Sequence, residues 1–329
     1  MSWEPLPTQQ AARTINQLPG TTNPTVTPVS RIKMAPGGPT FSRLTLGLCR
    51  LAEWEMSSDD LVRLIHTCLD RGLTTFDHAD IYGEYRCERL FGEALAQLPG
   101  LRERMQLVTK CGIRLVSDAF PETTIQHYDT RRTHIIAAAE RSLQALRTDR
   151  LDMLLIHRSD PLMDADEVAE AFTRLHESGK VLHFGVSNFL PHQFDLLASR
   201  LPFPLMTNQV ECSVLHMDAL HDGTLDQCQQ LRIAPMAWSP FGGGRLFTGD
   251  DEQAVRVRQA LQDIGDELGG ASMDQVALAW LLKHPSNILP IIGTGRWDRI
   301  EQAMGAEALD LTRDQWFTLW TASTGAGVP

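Results

Sequence analysis

From residue 41 onward, short apolar runs alternate with longer amphipathic stretches along nearly the whole chain. Brief runs dominated by apolar residues and bounded by turn-forming or charged positions predict strands at 44–48, 74–77, 107–110, 153–156, 183–186, 206–209, 234–238 and 288–292. Between them the apolar positions recur at helical spacing. Over 59–71, Leu61, Leu64, Ile65, Cys68 and Leu69 share one face, Ser57 and Ser58 offer N-caps, and Gly72 stops the helix. Val168, Ala171, Phe172 and Leu175 make the same stripe, ended by Gly179, and Ser272 with Gln275 forms a capping-box pattern ahead of Val276, Ala279 and Trp280. Eight short strands, each followed by a helix, predict a closed (β/α)8 TIM barrel, an α/β fold in a single domain with a C-terminal helix. A doubly wound sheet would place G-x-G-x-x-G after the first strand. The glycine cluster here, Gly242, Gly243 and Gly244, instead follows the seventh, near where barrels bind phosphate.

Residues 1–30 break the pattern. They hold Pro5, Pro7, Pro19, Pro24 and Pro28, many Thr, Gln and Asn, and only Glu4 and Arg13 as charges. Such a stretch buries little apolar surface, which predicts a flexible extension ahead of a barrel spanning 31–329. Elsewhere the composition, 43% hydrophobic and 22% charged, suits a soluble enzyme. A net charge of −11 argues against a nucleic-acid partner. The longest unbroken apolar run, 276–282, is too short for a bilayer span. Cys49, Cys68, Cys87, Cys111, Cys212 and Cys228 are scattered without a C-x-x-C pair, as expected of core residues in a reducing compartment. No basic segment followed by an apolar one opens the chain, so a cytoplasmic location is expected.

On a barrel, chemistry collects at the carboxyl ends of the strands. The second strand ends at Asp77 in T-T-F-D-H-A-D-I-Y-G, with Tyr82 in the loop beyond. The third ends at Lys110 in L-V-T-K-C-G and the fourth at His157 in L-D-M-L-L-I-H-R-S-D. A phenol, with a pKa of ~10, is a poor proton donor at neutral pH unless a nearby ammonium favours its phenolate. A carboxylate keeps such an ammonium charged in a dry site, and an imidazole can orient a substrate oxygen.

This set of motifs, in this order on successive strands, resembles the aldo-keto reductases, NAD(P)H-dependent carbonyl reductases on a (β/α)8 barrel. The resemblance runs from about Arg31 to the C-terminus. It implies Tyr82 as general acid, Lys110 lowering its pKa, Asp77 pairing with Lys110, and His157 placing the carbonyl of a small substrate. It also implies a cofactor, NADP(H). Ser187 and Asn188 in F-G-V-S-N-F and Gln209 in T-N-Q-V-E would hold the nicotinamide carboxamide, and Trp238 in M-A-W-S-P would stack on the ring. The loop from Ser239 through Gly244 to Arg245 would meet the pyrophosphate, and Gly293, Thr294, Arg296 and Arg299 the ribose phosphate. Arg296 is the main reason to expect NADPH over NADH, because a guanidinium pairs well with a 2′-phosphate. The runs D-P-L-M-D-A-D-E-V-A and G-T-L-D-Q-C-Q-Q-L resemble a bacterial subgroup of NADP-dependent oxidoreductases.

Some positions depart from the family pattern. His78 stands where Thr is common, Cys49 where many members have a pocket Trp, and Ala303 where many use Asn against the adenine. Pocket walls are expected from the first loop, around Cys49, Arg50, Leu51 and Trp54, and from the loops after strands four and seven. Trp54 and Phe241 suggest apolar contact, and Arg50 would meet either an anionic group or the cofactor. Two other readings compete. Asp77, His78, Asp80 and His157 could serve a metal-dependent barrel hydrolase, although Lys110 would have to lose its proton to join the ligands, and no metal ligand is expected. A cofactor-binding redox sensor or regulatory subunit on the same fold is the other, against which the intact tetrad speaks. Aldehyde, ketone, quinone and sugar carbonyls all remain open as substrates, and so does the oligomeric state.

Overall fold

The computed structural model describes residues 27–328. The barrel strands are β1 (Thr45–Gly47), β2 (Thr75–Asp77), β3 (Gln106–Cys111), β4 (Leu151–Ile156), β5 (Val181–Ser187), β6 (Asn208–Glu211), β7 (Met236–Trp238) and β8 (Leu289–Ile292). Each pairs in parallel with its sequence neighbours, and β8 closes on β1 with Ile291 opposite Thr45. All eight predicted strands are present, with ends displaced by one to a few residues. Their legibility has a simple cause: a parallel barrel strand is covered on both faces and so reads as a nearly continuous apolar run.

Helices α1 (Ser58–Asp70), α2 (Cys87–Leu95), α3 (Arg132–Leu146), α4 (Ala165–Glu177), α5 (Pro191–Ala198) and α6 (Thr224–Leu231) follow β1 to β6 in turn. After β7 come α7 (Arg245–Thr248), α8 (Glu252–Glu267) and α9 (Met273–Leu282), and after β8 come α10 (Trp297–Met304) and α11 (Arg313–Thr324). The expected apolar stripe of α1 is buried in full, and the Ser57 hydroxyl caps it by accepting from the Asp60 N–H. The Ser272–Gln275 capping box starts α9 as expected. The C-terminal α11 is pinned by Trp316, which stacks on Trp280 of α9 with ring centroids 4.8 Å apart. Each indole N–H donates to the other residue's backbone carbonyl, at 3.2 and 3.1 Å.

A hairpin pairing Arg31–Lys33 with Thr40–Ser42 lies across the amino ends of the strands and was not expected. Met34 and Phe41 are fully buried there, the Met34 carbonyl accepts from the Ala234 N–H, and the Ser42 hydroxyl accepts from the N–H groups of Thr74 and Thr75. Of the expected N-terminal extension, residues 1–26 lie outside the described residues. Val29 is buried, and its N–H donates to the Arg71 carbonyl. Among the described residues no helix is long and apolar enough to cross a membrane.

Candidate active site

Lys110, the penultimate residue of β3, is completely buried. Its ammonium donates to Asp77 Oδ2 at 2.8 Å, to the His78 carbonyl at 2.7 Å and to the Tyr82 hydroxyl oxygen at 3.0 Å. An ammonium has three N–H groups, so all are engaged. The Tyr82 oxygen is therefore an acceptor toward Lys110, and its own O–H must point elsewhere. Asp77, at the end of β2, accepts through Oδ1 from Gln209 Nε2 at 2.8 Å. Both carboxylate oxygens of the buried pair are thus bonded.

Burial pushes the Tyr82 phenol well above its ordinary pKa, the Asp77 charge adds to the shift, and the Arg158 guanidinium opposes it. The Lys110 ammonium, 3.0 Å from the phenol oxygen, is placed to favour the phenolate once the proton leaves. His157 follows β4, with its backbone N–H on the Cys111 carbonyl at 2.8 Å. Its ring stands edge-on to Tyr82, centroids 5.8 Å apart. Burial holds this imidazole well below its usual pKa, and the charges of Lys110 and Arg158 push the same way. It is neutral, with one N–H to donate. His78 is pushed down to about 3, mainly by burial and then by Lys110. Its ring packs edge-on to Phe91 at 4.7 Å, and neither ring nitrogen has a partner.

A second group of side chains continues from this one. The Ser187 hydroxyl donates to the Gln209 carbonyl at 2.8 Å. Asn188, with a left-handed φ of 59° that asparagine tolerates, donates to the His157 carbonyl at 3.1 Å and to Ser187 Oγ at 2.8 Å. It accepts from the Trp238 indole at 3.0 Å. One hydrogen-bonded network therefore joins Asp77, Lys110, Tyr82, Gln209, Ser187, Asn188, His157 and Trp238.

The expected phosphate-side residues lie apart from that network. Gly242, Gly243 and Gly244 all have positive φ (57°, 66° and 102°), and Ser239 does too (50°). A Cβ added at Gly243, Gly244 or Gly293 would meet nothing within 4 Å, so the main chain is open to close approach there. Gly295 is the opposite case: a Cβ would fall 2.7 Å from the Trp54 ring. Trp54 thus packs against the turn after β8. Arg50 donates to the Gly293 carbonyl at 3.2 Å, so it faces the same turn. Arg245 is held by both carboxylate oxygens of Asp251, at 2.8 and 2.7 Å. Arg296 N-caps α10 and pairs with Asp298, while the Thr294 hydroxyl accepts from the Arg296 N–H. Arg299 lies one turn on and helps hold the Asp298 carboxyl below its usual range. Of the three arginines expected at phosphate, Arg245 and Arg296 are paired within the chain, in exposed contacts that cost little to open.

Sequence reasoning expected the loop after the fourth strand at the pocket but did not single out Arg158, which directly follows His157. Its guanidinium lies over the Trp238 ring, Cζ 5.6 Å from the centroid. Among the described residues no three His, Cys, Asp or Glu side chains gather as metal ligands. Lys110, with every N–H donated, has no lone pair to offer one.

A sequence profile described as the Aldo/keto reductase family matches residues 43–322. The chain belongs to this family. It is 58% identical to Oxidoreductase YdhF of Escherichia coli, over 92% of this chain and 100% of that one. It is 43% identical to a 6-dehydroglucose reductase of Agrobacterium fabrum, over 88% of this chain and 96% of that one. The crystal structure of the thermostable aldo-keto reductase Tm1743 with the inhibitor epalrestat matches with a TM-score of 0.76 at 26% identity, covering 89% of this chain and 99% of that one. Aldo-keto reductases are oxidoreductases that use nicotinamide cofactors on a (β/α)8 barrel, so the expected fold and enzyme class hold.

Proposed function

We propose that this aldo-keto reductase is an NADPH-dependent carbonyl reductase, turning a small aldehyde or ketone into an alcohol with Tyr82 as the acid. The observation that carries the reading is the triply bonded Lys110 ammonium. Because its N–H groups already serve Asp77, His78 and Tyr82, the phenol must direct its proton into the pocket. NADPH, held there, would be the source of the hydride that the carbonyl carbon receives. Tyr82 gives its proton to the carbonyl oxygen, and Lys110 stabilises the phenolate left behind. Asp77 keeps the buried ammonium charged, and neutral His157 donates an N–H that orients the carbonyl oxygen.

The residues present fit the cofactor. Ser187, Asn188 and Gln209 form a polar ledge for the carboxamide, and Trp238 offers a flat indole beside it. Gly243, Gly244 and Gly293 leave main chain that phosphate oxygens can approach. Thr294, Arg296 and Arg299 cluster where the 2′-phosphate of NADPH would be gripped. The relatives named 6-dehydroglucose reductase, 43% and 39% identical, support a small polar carbonyl compound as substrate.

Tyr82→Phe tests the assignment. Turnover with NADPH and an aldehyde should fall roughly 10²–10⁴-fold, while NADPH affinity, read by fluorescence titration, stays close to wild type. Near-normal turnover in a pure preparation would reject Tyr82 as the acid.

A further inference from the structure

The charges around the pocket are almost all matched. Lys110 is paired with Asp77, Arg245 with Asp251 and Arg296 with Asp298. Arg50 is bound to the Gly293 carbonyl, and burial keeps His78 and His157 neutral. Among the described residues Arg299 is unpaired but exposed, whereas Arg158 is both unpaired and partly shielded from water. Arg158 is half-buried, lies against Trp238, and among the described residues its guanidinium has no carboxylate or carbonyl partner. Its contact is the indole face at 5.6 Å, which satisfies none of its N–H groups. Its charge reaches the reacting groups, since it acts on both Tyr82 and His157.

A guanidinium carries five N–H donors in a planar fork suited to an oxyanion. Partial removal from water without an acceptor is costly, and a ligand that brings two oxygens removes the cost. We propose that Arg158 is a substrate subsite for an oxyanion, carboxylate or phosphate, carried by the same molecule whose carbonyl is reduced beside Tyr82 and His157. This rests on the reductase reading and narrows it to acidic carbonyl compounds. The Trp238 ring beside the guanidinium restricts where the anion can dock and so how long the substrate can be.

The test compares matched substrate pairs in wild type, Arg158→Gln and Arg158→Lys. Butyraldehyde against succinic semialdehyde probes a carboxylate, and glyceraldehyde against glyceraldehyde 3-phosphate probes a phosphate. In wild type the charged member of at least one pair should have the higher kcat/KM, and which pair shows it identifies the anion. Arg158→Gln should lower that charged-to-neutral ratio roughly 10- to 150-fold, the scale for losing a charged hydrogen bond, mostly through KM. Arg158→Lys should restore part of it. The charged alcohol product should also bind more weakly to Arg158→Gln by calorimetry, while the Kd for NADPH stays within about threefold. A ratio that does not change in the variant overturns the subsite, as does an equal loss on charged and neutral members. A large shift in NADPH affinity would assign Arg158 to the cofactor instead and overturn it too. Wild type that reduces none of the four compounds counts against the reductase reading, whereas wild type that reduces charged and neutral members alike counts against the subsite alone.

Discussion

Three acceptors around one ammonium give Lys110 a single geometry, and that is what turns a buried lysine into a device for handling a proton. The pair with Asp77 is almost fully excluded from water. Breaking such a pair leaves an uncompensated charge, which typically costs about 3–5 kcal/mol. Asp77→Asn should therefore lower unfolding stability in urea by about that amount and reduce turnover together with it. Adding Lys110→Met to Asp77→Asn should recover part of the stability and none of the activity. A double variant no more stable than Asp77→Asn alone would mean that the ammonium is not the source of the penalty. At the other end of the cofactor, Arg296 makes a bidentate contact with Asp298 that a 2′-phosphate would have to displace. Arg296→Ala should weaken NADPH binding roughly 10- to 150-fold and leave NADH nearly unchanged. Asp298→Asn should tighten NADPH modestly by freeing the guanidinium. Equal losses for both cofactors in Arg296→Ala would place the phosphate elsewhere.

Among the elements, what the sequence made legible was whatever combined burial with length. The barrel strands and the stripe of α1 were readable because two-sided or one-sided burial writes itself into the apolar pattern. Asp77, Lys110 and His157 were readable as polar residues breaking an apolar run where a strand ends. The hairpin at Arg31–Lys33 and Thr40–Ser42 was not, because three-residue strands flanking Pro36, Gly37, Gly38 and Pro39 carry no periodicity. Arg158 was hidden for a different reason: an arginine in a loop is ordinary, and only its place next to His157 and against Trp238 sets it apart. The pairing of Arg245 depended on α8 beginning at Glu252 with Asp251 as its N-cap, a boundary too fine for pattern reading. The contact of α11 with α9 is another long-range fact. Its two indoles stack at 10° and exchange hydrogen bonds with each other's backbone. Trp316→Ala should destabilise the protein by about 2–3 kcal/mol, less than a fully buried tryptophan because Trp316 is half-exposed. Urea unfolding measures it, and a loss below about 0.5 kcal/mol would mean that α11 is held by its other contacts.

At the scale of the whole molecule, the buried titratable groups set a pH window for stability. His78 is held at about 3 and His134 at about 4, both mainly by burial, and His157 is also pushed well down. An unfolded histidine titrates near ~6.5, so below that pH the unfolded chain takes up protons that the fold refuses. Stability contributed by these groups is present above about 6.5 and is lost as the pH falls. Glu88 behaves in the opposite sense. Burial raises it to about 7 even though the Thr109 hydroxyl donates to it at 2.6 Å. Asp80 is also raised, by burial and then by Glu88, and neither of its oxygens has a partner. Between the ordinary carboxyl value of ~4.3 and about 7 the fold binds a proton at Glu88 that the unfolded chain has released, so stability falls as the pH rises. Above about 6.5 only the carboxyl effect acts, and below about 4.5 only the histidine effect, which places the maximum between them. Thermal midpoints across pH 4–9 should therefore peak on the weakly acidic side. Glu88→Gln keeps an acceptor for Thr109 and removes the ionisation, so the fall from the peak to pH 8 should shrink by on the order of 5 °C. His78→Thr should flatten the acid side instead, whatever it does to the absolute midpoint by removing the ring beside Phe91. Curves for wild type and Glu88→Gln that run parallel from pH 5 to 8 would show that Glu88 is ionised in the fold at neutral pH, and that the buried carboxyls do not govern the alkaline side.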